Sequence, residues 1–124
     1  MTYVNGFLLA VPAAKRDAYK KMAEVSWEVF RDYGCLSLRE NWGVDVPDGK
    51  ITSFPMAVRK EDDEVVVFSW MEWPDRETCE KAWDVMMKDP RLTEMQEMPF
   101  DGKRMMWGGF EELLDARAPA KSGT

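Results

Sequence analysis

Two stretches of the chain are apolar in both registers of a strand at once: Tyr3 to Val11, YVNGFLLAV, and Val65 to Trp73, VVVFSWMEW. Successive side chains of a strand point to opposite faces, so a sheet with one wet face writes itself as apolar and polar in alternation. Here Val4, Leu8 and Ala10 oppose Phe7, Leu9 and Val11, while Val66, Phe68 and Trp70 oppose Val65, Val67 and Met71. Only Ser69 and Glu72 interrupt the second run. Strands of this kind belong in the middle of a sheet with a layer packed on each side.

Helical signals separate them. From Ala13 to Tyr33 the residues Ala18, Tyr19, Met22, Val25, Ser26, Val29, Phe30 and Tyr33 share one face, with Lys20, Glu24, Glu28 and Arg31 largely opposite. Gly34 supplies a left-handed C-terminal cap. Trp27 falls outside the apolar arc and is expected either to lie exposed or to meet a partner chain. Cys35 to Val46 alternates, placing Leu36, Leu38, Glu40, Trp42, Val44 and Val46 on one side of a strand. Its end is the turn Pro47, Asp48, Gly49, Lys50, which Asp45 and Asp48 help to organise. Ile51 to Arg59 reads as a shorter extended piece that Pro55 confines to an edge or an irregular path. Glu61 to Glu64 reads as a solvated acidic hairpin loop, without the spacing of a calcium loop.

After Trp73, Pro74 and Asp75 start a second helix whose buried stripe is Cys79, Ala82, Trp83 and Met86. Asp89 and Pro90 restart a short helix holding Leu92 and Met95, and a last strand is expected over Lys103 to Leu114. The turns PDGK and FDGK share only their turn chemistry, so no repeat is inferred. The order βαββαβ gives an α+β chain of ferredoxin-like arrangement with an antiparallel sheet. One domain is expected over 1–115, followed by a flexible tail over 116–124. Two helices cover one sheet face, so a second copy in a two-fold dimer is the expected cover for the other.

At 124 residues the chain is long enough to bury roughly two-thirds of its unfolded surface without staples. Six Trp and ten Met suit either an apolar interface or core packing. A net charge of −6 disfavours nucleic acid, whose binding runs on clustered Lys and Arg. No membrane segment is expected, and the start MTYVNGFLLAVPAA lacks the basic leader of a secretory signal, so the expected location is the cytoplasm. Histidine is absent, which removes Ser-His-Asp and Cys-His catalysis, a proximal haem histidine and most zinc sites. Cys35 and Cys79 match no metal or redox spacing and are expected as reduced, semi-buried thiols. No metal or cofactor is expected, and proton transfer falls to carboxylates, Tyr, Lys or Cys.

The segments YVNGF, ENWGVDVPDGK, VVFSWMEWP, MMKDPR and MPFDGKRMMWGGFE together resemble the YbaA-like family of uncharacterised bacterial proteins (domain of unknown function 1428), over nearly everything up to Asp115. That resemblance implies the dimeric α/β-barrel architecture, two ferredoxin-like chains packed sheet to sheet. It implies no reaction. The same architecture carries cofactor-free monooxygenases, muconolactone isomerase-like proteins and haem-dependent chlorite dismutase-like enzymes, a kinship of fold alone.

In the FDGKRMMWGGFEELLD stretch the glycines are architectural: Gly102 suits a turn of positive φ, and Gly108 with Gly109 signals a bulge or a close backbone approach. Lys103 and Arg104 are candidates for attracting an anionic ligand, or are simply solvated. Glu40 and Glu72 are the candidate acid/base residues, because a carboxyl on an apolar strand face either has a partner or is driven toward its neutral form. The rival expectation pairs them with Arg39, Arg59, Lys103 or Arg104. An apolar, aromatic cleft lined by Trp42, Met56, Phe68, Trp70 and Trp107 is expected beside the sheet, holding a small molecule. The alternative is a noncatalytic dimeric interaction or stress-response module. RNA binding is disfavoured, because RMMWGGF departs from the aromatic RNP pattern and the chain is acidic.

Overall fold

The computed structural model describes residues 2–95 and 98–119. Four strands form one antiparallel sheet: β1 (Tyr3–Pro12), β2 (Ser37–Trp42), β3 (Glu64–Trp73) and β4 (Met106–Glu111), in the order β2-β3-β1-β4. Helix α1 (Arg16–Asp32) connects β1 to β2, α2 (Phe54–Ala57) lies between β2 and β3, and α3 (Arg76–Met86) and α4 (Pro90–Thr93) lie between β3 and β4. The two doubly apolar strands are central and pair along their full length, from Tyr3 with Trp73 to Pro12 with Glu64. This is the ferredoxin-like α+β fold.

Register sorts the side chains. On the helical face Leu9, Val11 and Val67 pack with Tyr19, and Met71 and Trp73 pack with Val29, Cys35, Cys79, Ala82 and Met86. Asn5 also points there, buried, and its Oδ1 accepts hydrogen bonds from Trp73 Nε1 at 2.9 Å and Trp83 Nε1 at 3.0 Å. Asp75 caps α3 by accepting from the Thr78 amide at 2.7 Å, and Asp89 caps α4 by accepting from the Arg91 amide. Arg91 also bridges Asp89 and Asp32, tying α4 back to the end of α1.

Several local expectations change. α1 is turned about its axis relative to the expected arc: Tyr19, Ala23, Ser26 and Val29 are buried, whereas Ala18 and Val25 face solvent. Trp27 is therefore half-buried against the core instead of fully exposed. β2 ends at Trp42; the Gly43 amide still donates to the Val66 carbonyl at 2.8 Å, and the backbone passes so close that a Cβ there would lie 2.7 Å from that oxygen. Beyond that bend Val44 is 93% exposed, and Val46 crosses to the opposite sheet face, so neither shares the side of Leu38, Glu40 and Trp42. Ile51–Arg59 is not extended; Ser53 Oγ accepts from the Met56 amide at 3.1 Å and Pro55 sits in the first turn, which starts α2. The last strand is shorter than expected, since Gly102–Arg104 forms a 3-10 turn without a positive φ. Gly34 does adopt the left-handed conformation, with φ 106°. Gly109 lies under the Tyr3 ring, where a Cβ would collide with its hydroxyl; the pairing of β1 with β4 runs through both glycines without a bulge.

The second sheet face is covered in part by the chain itself. Val58 and Val46, from the segment between β2 and β3, close over Leu8, Ala10 and Val66. Alongside them Phe68 is 45% and Phe110 59% exposed, with Trp70 half-buried.

The acidic loop also departs from expectation. Glu64 is buried, and the Arg104 guanidinium donates to both its oxygens at 2.7 and 2.6 Å while also reaching Asp101 and the Arg59 carbonyl. Those hydrogen bonds hold the Glu64 carboxyl below its ordinary value. A carboxyl so shifted contributes stability that is present above its ordinary value and lost as pH falls through the native one. Arg104→Met is therefore expected to lower the melting temperature at neutral pH, with the gap to wild type closing as the protein is taken toward about pH 3 in calorimetry. A gap independent of pH would show that Arg104 acts by packing alone.

Candidate functional site

A groove of about 720 Å³ opens between α1 and the edge strand β2. Tyr19, Ala23, Leu38, Glu40, Trp42 and Val67 are among the residues that line it, and its helical rim carries Arg16, Lys20, Glu24, Trp27, Glu28 and Arg31. Sequence dictates this directly. The i, i+4 spacing of Arg16, Lys20, Glu24 and Glu28 lays a polar flank along α1, and alternation in β2 turns Leu38, Glu40 and Trp42 toward it. The strand runs back along the helix, so Trp42 meets the start of α1: the Arg16 guanidinium stands 5.5 Å above the Trp42 ring.

Glu40 belongs to the helical face, opposite Ser69 in the register. Its Oε1 accepts from the Tyr19 hydroxyl at 2.7 Å, and the buried Ser69 hydroxyl is a second hydrogen-bonding neighbour. The residue is exposed by surface area, through the mouth of the groove, while nearby protein atoms desolvate its carboxyl. That desolvation pushes the carboxyl above its ordinary value, against the opposing pull of the two hydroxyls. Burial and the adjacent carboxylate together raise Tyr19, so the phenol stays protonated and serves as a donor. Among the described residues Glu40 is in no ion pair. A carboxyl raised in this way holds its proton more tightly than a free glutamate, the direction that general acid/base work requires.

The other expected site residues are dispersed. Trp42 joins Glu40 in the groove. Glu72 lies on the opposite face of the sheet, across from Val4 and Ser37, so the two carboxyls do not form one site. Phe68 and Trp70 are also on that second face, their rings 5.4 Å apart, with Phe54 edge-on to Phe68 at 5.8 Å. Met56 is exposed on α2, Trp107 is exposed on edge strand β4 across from Phe7, and Lys103 is exposed in the 3-10 turn. Arg104 is committed to Glu64 and Asp101. Burial pushes the Cys35 thiol up to about 11 and raises Cys79 as well, so neither is a ready nucleophile. Tyr19, Arg16 and Lys20 were not among the expected site residues. Ser69 had a signal, a hydroxyl in an otherwise apolar strand, and so did Tyr19, which sits on the helix's buried arc.

A ferredoxin-like antiparallel sheet with a groove between its first helix and its edge strand defines a small α+β protein. The chain belongs to the family described as protein of unknown function (DUF1428), whose model matches residues 2–102. It is 53% identical over 116 residues to the "Uncharacterized protein YbaA" of Escherichia coli strain K12, covering 93% of this chain and 99% of that protein. The protein of the same name from Shigella flexneri matches with the same identity and coverage. A solved structure titled "De novo designed protein Foldit4" aligns over 90% of this chain and 99% of its own, at 14% identity and a TM-score of 0.43. Among the described residues no helix is long and apolar enough to cross a membrane, and no cluster of His, Cys, Asp and Glu is disposed to hold a metal ion.

Proposed function

We propose that the groove between α1 and β2 binds a small apolar or aromatic molecule, and that Glu40 exchanges a proton with it while Tyr19 and Ser69 hold the carboxyl in place. The observation that supports this reading is a groove carboxyl that accepts from the Tyr19 hydroxyl and, among the described residues, has no cation within ion-pair distance. A carboxyl desolvated without a countercharge is a functional-site candidate, because its environment shifts its proton affinity in the direction acid/base chemistry uses. Trp42 supplies the flat wall against which a ring can lie. The free, buried thiols suit a reducing compartment, and we place the protein in the cytoplasm.

The sign of the effect gives a test that needs no substrate. Glu40 is raised in the native state, so its contribution to stability is full below the ordinary glutamate value and is lost as pH rises through the native one. Glu40→Gln keeps an oxygen to accept from Tyr19 but cannot ionise. The variant is expected to melt above wild type once the pH exceeds the native Glu40 value and to converge with it in acid. A variant that melts below wild type at every pH would mark Glu40 as a satisfied structural group. In parallel, aromatic acids and quinones are expected to raise the melting temperature of wild type but not of Trp42→Ala. If no compound does so, the binding reading fails.

A second surface supports self-association. Phe68, Phe110 and Met106 lie exposed on the sheet face away from the helices, beside half-buried Trp70. An apolar face of this kind on a small protein marks an interface, and a second copy packed face to face across a two-fold axis covers it. A homodimer formed this way is compatible with the groove, which opens on the other side of the sheet. The noncatalytic alternative, association without chemistry, rests on this surface alone.

A further inference from the structure

The charge at one end of the groove narrows the ligand class, an inference that rests on the binding reading above. Arg16 and Lys20, one turn apart, rim the groove where α1 begins, and among the described residues neither has a carboxylate within ion-pair distance. The carboxyls that line the groove are Glu24, Glu28 and Glu40. Glu24 and Glu28 lie one and two turns beyond Lys20, and the last stands beside Trp27 and Arg31. The Glu40 carboxyl already accepts from the Tyr19 hydroxyl at 2.7 Å, and desolvation raises it toward the neutral form. At the Trp42 end Arg16 and Lys20 therefore stand free of any salt bridge among the described residues, while the carboxyls of Glu24 and Glu28 lie further along α1.

An aromatic wall with acidic neighbours could in principle receive a cationic ligand. Here the Arg16 guanidinium already stands over the Trp42 ring, so a ligand cation would meet a fixed cation at the aromatic surface it needs. The same guanidinium, beside a flat ring, is a fork suited to a carboxylate whose own ring lies along the wall. We propose that the groove takes a planar organic anion, an arene or conjugated carboxylate, with its carboxylate held by Arg16 and Lys20 and its ring along Trp42. At about 720 Å³ the groove is large enough for a bicyclic ring system.

The test uses naphthoate, neutral naphthylmethanol and naphthyltrimethylammonium as probes of one shape and different charge. Calorimetry on the full chain measures affinity, and NMR of the Trp42 indole reports the location. Naphthoate is expected to bind about tenfold tighter than the alcohol, and Arg16→Gln and Lys20→Gln each to weaken naphthoate about fivefold or more while leaving the alcohol little changed. Both residues lie on the exposed flank of α1, and melting curves check that the variants stay folded. If the alcohol or the ammonium probe binds as tightly as naphthoate, or neither substitution discriminates among them, the anion assignment is overturned while the groove remains a binding site. If no probe moves the Trp42 indole, both the assignment and the binding reading fall.

Discussion

Asn5→Leu is expected to cost about 4 kcal/mol of stability, from two indole donors left buried without an acceptor at about 1–3 kcal/mol each, and to lower the melting temperature by roughly 15 °C in a domain of this size. Asn5 is 6% exposed, and its single Oδ1 receives Trp73 Nε1, Trp83 Nε1 and the Cys79 thiol. Those donors come from β3 and α3, so one side-chain oxygen on β1 fixes the second helix against the sheet. Leucine matches the shape and removes the acceptor, and the cost is that of the stranded N–H groups rather than of lost volume. A double-mutant cycle separates the two: adding Trp83→Phe removes one stranded donor, so the double variant is expected to lose clearly less than the sum of the singles. Calorimetry and urea unfolding provide the measurement. Additive losses, or an Asn5→Leu variant that melts with wild type, would refute the hub.

Phe68→Glu is expected to convert the proposed homodimer to a monomer, raising its dissociation constant by about a hundredfold or more. The substitution acts twice, since a two-fold interface presents the same position from both sides. It sets a carboxylate at the centre of the apolar second face, between Leu8 on β1 and Asn41 on β2 and touching the rings of Phe54 and Trp70. Because Phe68 is 45% exposed in the single chain, the monomer is expected to keep its fold. Sedimentation at micromolar concentration distinguishes the outcomes. A wild-type chain that already sediments as one subunit rules the interface out.

The central pair of strands was legible because their double apolarity leaves no other place in a sheet, and the ferredoxin-like order followed from it. The caps were legible for the same local reason: Asp75 and Asp89 stand immediately before the helices they start. The stretch after Trp42 was misread since Pro55 signals an edge strand and the first turn of a helix equally well, and only the Ser53 cap decides between them. Glu64 was misread for a different reason. Within the run Glu61 to Glu64 nothing local marks one acid as buried; its partner Arg104 lies 40 positions away in sequence.

The candidate site divides along the same line. Glu40 was recognisable as a carboxyl on an apolar strand side, but so was Glu72, and alternation within one strand carries no information on how two strands face each other. The pairing of Glu40 with Ser69 turned one carboxyl under α1 and left the other on the far side of the sheet. Trp42 and Phe68 were likewise grouped by chemistry and separated by register.

By itself the sequence determined the main strands and the two long helices, which strands are central, that histidine chemistry is excluded, and that the central strands are apolar on both faces. Periodicity, capping and composition are local properties, and these conclusions need nothing more. Only the tertiary structure decided that Tyr19 meets Glu40 across 21 positions, that Asn5 meets Trp83 across 78, and that Arg16 stands over Trp42. Such contacts depend on strand register and on the rotation of α1 about its axis, and both are set by the packing of the whole core at once.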